Sequence, residues 1–195
     1  MISFHFYRRV KQYIARIGFK IFFSSKFKVY GRKVAIINPD TIQGEEYISL
    51  GDNVIINSMT WLLALKQDDN MPNLSIEKNV NIGRFSHIVA LKRVLIKQNV
   101  LIADKVYISD NIHNYDDVAI PIIEQPILFK GDVEIGEDSW IGENVSIIGV
   151  KIGKHCVIGA NSVVTNDIPD YCVAVGVPAK VIKQYNLEEK KWQSI

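Results

Sequence analysis

The chain has 195 residues, 48% of them hydrophobic, 10% aromatic and 23% charged. That length suits one well-cored domain, and the composition excludes a collagen, a coiled coil and a mostly disordered chain. The net charge of +2 hides an asymmetry, because residues 1–39 carry nine Lys and Arg and no acid, which leaves the remainder acidic.

The first element expected is helical. Phe4, Tyr7, Val10, Ile14, Ile17 and Ile21 fall on one stripe at helical period, and Arg8, Arg9, Lys11, Gln12, Arg16 and Lys20 occupy the rest. Segment 1–33 therefore reads as a basic amphipathic helix. Two roles are open to the stripe: capping the domain behind it, or contact with an anionic membrane surface. No apolar run is long enough to span a bilayer, and the basic residues interrupt the apolar stretch, unlike those of a signal peptide. Nucleic acid is not expected as a partner, since the rest of the chain is acidic and lacks a recognition motif.

From about Ile36 an aliphatic residue recurs every sixth position, a period that neither a helix nor a simple strand produces. The clearest units begin at Ile135, Ile141, Ile152, Ile158 and Val164. An earlier series runs through Ile76, Ile82, Ile88, Ile96, Ile102 and Ile108, and a fainter one surrounds Leu50 and Ile56. Six residues make one short strand and one tight corner, and three such sides close a triangular coil that stacks on the next at strand spacing. The aliphatic positions point inward, while Gly, Asn and Asp serve corners that need positive φ.

The repeat breaks after Ile108-Ser109-Asp110-Asn111-Ile112-His113 and resumes near Val133, so a loop over 114–131 is expected to leave the prism. Of the four histidines, His113 alone stands at such an exit. His155 and His5 read as surface residues. Cys156 and Cys172 cannot build a disulfide framework and show no zinc-binding spacing, which points to a reducing cytoplasm.

These repeats, the exit histidine, Trp140-Ile141-Gly142 and the C-terminal Gly176-Val177-Pro178-Ala179-Lys180 together resemble the hexapeptide-repeat acyltransferases. The nearest likeness is to sugar O-acetyltransferases acting on O-antigen and other cell-surface polysaccharides, with maltose and galactoside acetyltransferases more distant. The resemblance implies a mainly β fold, a left-handed parallel β-helix over 34–183, with the N-terminal helix and a short C-terminal helix in 184–195. It also implies acetyl-CoA as co-substrate, no required metal and a homotrimer with each active site between subunits; a basic helix in the membrane-contact role would make this cytoplasmic enzyme peripheral to the inner membrane.

By the same resemblance His113, eleven residues after Ile102, is the catalytic base. The relatives typically read D-H-N-H where this chain has Asp110-Asn111-Ile112-His113. Backbone near Ala160, Thr165 and Asn166 would run along the pantetheine, Lys180 and Lys183 would approach the CoA phosphates, and Trp140 and Glu143 would line the same groove. A solvated face remains the other reading of the two lysines. On the acceptor side stand His87, Asp110 and Tyr115. Asp110 either orients His113 or serves a corner, and His87 either touches the acceptor or is structural. Histidine suits acid–base work because its unperturbed pKa lies near ~6.5. The competing readings are a zinc hydratase like the γ-class carbonic anhydrases, whose paired histidines this chain lacks, and a non-enzymatic trimeric scaffold.

Overall fold

The computed structural model describes residues 3–67 and 69–195. Helix α1 (Phe4–Phe23) begins at Ser3, whose hydroxyl accepts from the Phe6 amide at 3.2 Å, satisfying one of the free donors of a helix N-terminus. The chain then winds into a triangular prism with three parallel faces. Strands Val29–Tyr30, Ile48–Leu50, Asn73–Ile76, Arg93–Ile96, Val133–Ile135 and Lys151–Ile152 build the first face. The second contains Ala35–Ile36, Ile55–Ile56, Asn81–Ile82, Leu101–Ile102, Trp140–Ile141, Val157–Ile158 and Cys172–Gly176. Thr41–Gln43, Trp61–Ala64, His87–Ala90, Tyr107–Ser109, Ser146–Ile148 and Val163–Val164 form the third. This is the left-handed parallel β-helix expected from the repeat and the resemblance. Its first strand, Val29–Tyr30, pairs with Ile48–Leu50, so the prism starts five residues ahead of the boundary at 34.

The six-residue period works by register. Ile36, Ile56, Ile82, Ile102, Ile141 and Ile158 stack down the second face, as do Leu62, Ile88, Ile108, Ile147 and Val164 down the third. All are buried, and each contributes about 1.5–3 kcal/mol of burial. Corners turn through left-handed residues. Asn53, Asn79, Asn99 and Asp138, all at positive φ, are joined in a column by side-chain hydrogen bonds of 2.9 Å. Asn and Asp adopt that conformation at low cost. Gly83 is required for a different reason: a Cβ there would meet the Ala103 carbonyl oxygen at 2.2 Å, so coils could not stack at strand spacing.

Departures from the repeat gather on the edge where the third face turns into the first. There the chain inserts residues 65–72 and, one coil after the next, the loop leaving at Asp110. The corner at Ile147-Ile148-Gly149-Val150 is tight, with Gly149 at φ 61° and its amide donating to the Ser109 carbonyl at 2.9 Å.

One expectation needs correction. The tail over 184–195 is not a helix. The turn at Gly176–Ala179 reverses the chain into the antiparallel strand Ala179–Asn186, and Lys191–Ser194 pairs back on it, extending the second face. Asn186 closes that last turn by accepting from the amides of Glu188 and Glu189, at 2.9 and 3.0 Å, and Tyr185 meets Trp192 across the strands at 5.4 Å. A segment this short cannot sustain an isolated helix, whereas a cross-strand aromatic pair stabilises a hairpin.

Helix α1 packs against the prism along one side. It lies over the Ala35–Ile36 strand, but the residues drawn toward the prism are Gln12, Ala15, Arg16 and Phe19, while Ile14 is 63% and Ile21 70% exposed. Phe19 packs on the buried Phe27, which in turn meets Tyr30 edge-on at 5.4 Å. The end of the core is thus covered by Phe19 and Phe27, and of the apolar stripe Phe4, Tyr7, Val10 and Ile17 border the gap between helix and prism while Ile14 and Ile21 stay largely exposed.

Candidate active site

Ser109 is the last residue of a third-face strand, and the chain leaves the prism from it. The exit is anchored by Asp110, which is fully buried. Its carboxylate accepts from the amides of Leu91, Lys92 and Arg93 at 2.8, 2.7 and 2.8 Å and from Asn111 Nδ2 at 2.7 Å. A carboxylate so committed holds the corner of the preceding coil. Of the two roles open to Asp110, this is the corner role, and a contact with an acceptor would require breaking those bonds.

Strands Asn111–His113 and Ile127–Phe129 then form an antiparallel hairpin in which His113 opposes Ile127. Buried Gln125 pins the hairpin's far end through its side-chain amide to the carbonyls of Asp117 and Ile120, both at 2.8 Å. Lys92 Nζ lies 4.6 Å over the Phe129 ring at the base. The His113 side chain is exposed, and no hydrogen bond holds its ring among the described residues. Tyr115, two residues on, is exposed as well. The hairpin presents a free imidazole on a backbone fixed at both ends.

The residues expected around acetyl-CoA divide between two sides of the third face. Thr165 and Asn166 follow strand Val163–Val164, on the same edge as the His113 loop and exposed. Trp140, half exposed, belongs to the second face, in one row with Val157, Val173 and Lys183. Glu143 and Ala160 occupy successive coils at the corner between second and third faces, Glu143 paired with Lys105 at 3.0 Å. Lys180 and Lys183 are exposed on the antiparallel strand, and neither has an ion-pair partner among the described residues. One prism therefore does not gather the whole set into a single cleft.

His87 sits elsewhere on the third face, between Trp61 at 4.5 Å and Tyr107 at 5.5 Å between ring centroids. Its Nε2 is buried without a partner, and burial lowers its pKa. Trp61 was not singled out by sequence, although it occupies the register position of His87 one coil earlier. A cavity of about 550 Å³ lies in the gap between α1 and the prism, lined by residues that include Arg8, Lys11, Arg84 and Asp104. It lies away from the His113 loop, and Arg84 there is already held by Asp104 at 2.6 Å. The chemistry of the exposed imidazole outweighs the size of that gap.

A parallel β-helix of hexapeptide coils with a histidine-bearing loop at one edge defines a class, the hexapeptide-repeat acyltransferases. The family model described as the hexapeptide repeat of succinyl-transferase matches residues 132–166. Over 175 residues the chain is 36% identical to a protein described as a lipopolysaccharide biosynthesis O-acetyl transferase, WbbJ of Escherichia coli K12, covering 85% of this chain and 87% of that one. This chain belongs to that acetyltransferase family. A probable acetyltransferase of Mycobacterium tuberculosis is 50% identical over 76 residues, 38% of this chain and only a quarter of that protein's length, at 25%. In structure the chain resembles AntD, an N-acyltransferase of Bacillus cereus crystallised with dTDP and coenzyme A. The TM-score is 0.71 with 22% identity, over 89% of this chain and 90% of that one, a likeness of fold.

Proposed function

We propose that this chain transfers an acetyl group from acetyl-CoA to a hydroxyl of a sugar in a cell-surface polysaccharide or its precursor, with His113 as general base. The observation that carries the reading is the exposed, unpartnered imidazole of His113 on a hairpin fixed by Asp110 and Gln125. Acetyl-CoA supplies the activated acetyl group as a thioester. A sugar hydroxyl is a weak nucleophile at neutral pH, and the neutral His113 imidazole accepts its proton as the oxygen bonds to the acetyl carbon. The imidazolium then returns the proton to the departing thiolate sulfur. General-base help of this kind is worth roughly 10²–10⁴ in rate.

The residues present fit the co-substrate. Lys180 and Lys183 are exposed cations suited to the pyrophosphate and 3′-phosphate, Trp140 offers an exposed indole in the row that ends at Lys183, and Ala160 leaves the corner low. Because His113 and Trp140 lie on different sides of one prism, the reading includes a homotrimer in which the base of one subunit works on acetyl-CoA held partly by the next. The basic helix, with Ile14 and Ile21 exposed, suits the cytoplasmic face of the inner membrane, where a lipid-linked acceptor would be found.

The test is release of CoA thiol from acetyl-CoA with a panel of sugar acceptors, run beside His113→Ala. Acceptor-dependent release that falls by about 10² or more in the variant, with acetyl-CoA binding retained, supports the assignment. Equal rates would remove His113 from the chemistry, and failure to bind acetyl-CoA would leave a scaffold.

A further inference from the structure

At the edge between the second and third faces the corner residue of each coil is in the left-handed region: Asn38, Met59, Phe85, Lys105, Asn144 and Asn161 in succession. Asparagine is the inexpensive choice there, whereas a bulky side chain at positive φ is strained. Three consecutive coils break the pattern, with Met59 at φ 60°, Phe85 at φ 57° and Lys105 at φ 59°; the first two are apolar and exposed, Phe85 by 52%, while Lys105 is paired with Glu143. Strain combined with an exposed apolar surface points to use rather than stability. Met59 and Phe85 line one cleft of about 280 Å³ with Trp61, His87 and Asp40. Trp61 stacks edge-on to His87, and His87 to Tyr107, in a continuous aromatic row down the third face. Asp40 adds a carboxylate at the rim, to which the Thr41 hydroxyl donates at 3.3 Å.

Aromatic and thioether surfaces beside one carboxylate suit a pyranose ring, whose C–H faces pack on the rings while its hydroxyls donate to the acid. A nucleotide or CoA phosphate would be repelled by Asp40. The strand of Trp61 lies two steps from the strand that leads to His113, about 10 Å across the face at ordinary strand spacing, and Trp61 shares a row with Tyr107, at the far end of that strand from the His113 loop, so the two places are further apart than one sugar ring spans.

Building on the acetyl-transfer reading above, we propose that the Met59–Trp61–Phe85–His87 cleft is a second sugar subsite, taking an acceptor ring other than the one acetylated, and that the acceptor is therefore an oligosaccharide. The decisive variant is Met59→Asn/Phe85→Asn, which restores the favourable corner residue and so keeps the fold while removing the apolar walls; Trp61→Ala is its companion. The probes are trisaccharides of glucose, galactose and N-acetylglucosamine and the matching monosaccharides, followed by acetyl transfer and by line broadening of the sugar proton signals. The expected result is that trisaccharides bind the wild type and that the double variant raises their KM about tenfold or more. Monosaccharide kinetics, oligomeric mass and melting temperature should hold, or the last should rise. The inference is overturned if no trisaccharide binds, if mono- and trisaccharides lose equally, or if the variants change the oligomeric mass, which would make the cleft a subunit contact. A wild type that binds trisaccharides but transfers nothing would retain the subsite and overturn the acetyl-transfer reading instead.

Discussion

The Lys130 amide donates to the Asp110 carbonyl at 2.7 Å, so the excursion bearing His113 leaves and rejoins the prism at one residue. The same Asp110 uses its carboxylate to hold the coil above and its carbonyl to close the loop below. Positioning of the base and cohesion of the coils thus meet at a single buried residue, through its backbone and its side chain respectively.

Asp110→Ala is expected to destabilise the protein by about 2–3 kcal/mol, because it leaves the buried Leu91 amide and the part-buried amides of Lys92 and Arg93 without their acceptor. Urea unfolding measures the loss. Acetyl transfer should fall in the folded fraction as well, since the hairpin loses its anchor, whereas Tyr115→Ala, at an exposed loop position, should leave stability within about 0.5 kcal/mol.

Burial lowers the pKa of His87, and the unfolded imidazole titrates near ~6.5. Below that value the unfolded chain binds the proton that the folded chain resists, so stability falls as pH drops from about 6.5 toward the folded pKa and levels off beneath it. Thermal melts between pH 5 and 8 on wild type and His87→Phe should show the acid limb flattened in the variant. An unchanged limb would exclude His87 as its source.

Cys156 is buried, its thiol donates to the Pro169 carbonyl at 3.0 Å, and burial pushes its pKa up to about 11. Cys172 is buried and shifted in the same direction. Neither thiol should react with a disulfide reagent at pH 8 in the native protein, and both should react once it is unfolded. Titration with and without denaturant reads this directly.

The exposed part of the α1 stripe gives a separable prediction. Ile14→Glu/Ile21→Glu should leave the melting temperature unchanged, since both side chains are exposed, and should abolish sedimentation with vesicles containing anionic lipid if the stripe enters the membrane. Unaltered vesicle binding would remove that part of the proposal, while a change in oligomeric mass would assign the stripe to a subunit contact.

The prism was legible in the sequence because its core is periodic: a residue such as Ile82 faces inward for the same local reason as Ile102, and register repeats the pattern coil by coil. The exit at His113 was legible as a break in that period. One error came from a segment where the expected helix and the tertiary partner disagree. The resemblance implied a helix in 184–195, but pairing of Tyr185 with Trp192 made a hairpin. The stripe of α1 marks an apolar surface without saying what covers it, and Phe19 and Phe27 had already closed the core.

Sequence alone determined the coil, the place where it opens and the histidine at the opening, since each follows from spacing along one chain. Only the tertiary structure decided that Asp110 is an anchor, that Trp140 and His113 lie on different sides of a prism, and that Met59, Trp61, Phe85 and His87 share a cleft. Contacts between residues twenty or more positions apart depend on how coils stack, and stacking brings together side chains that no local period relates.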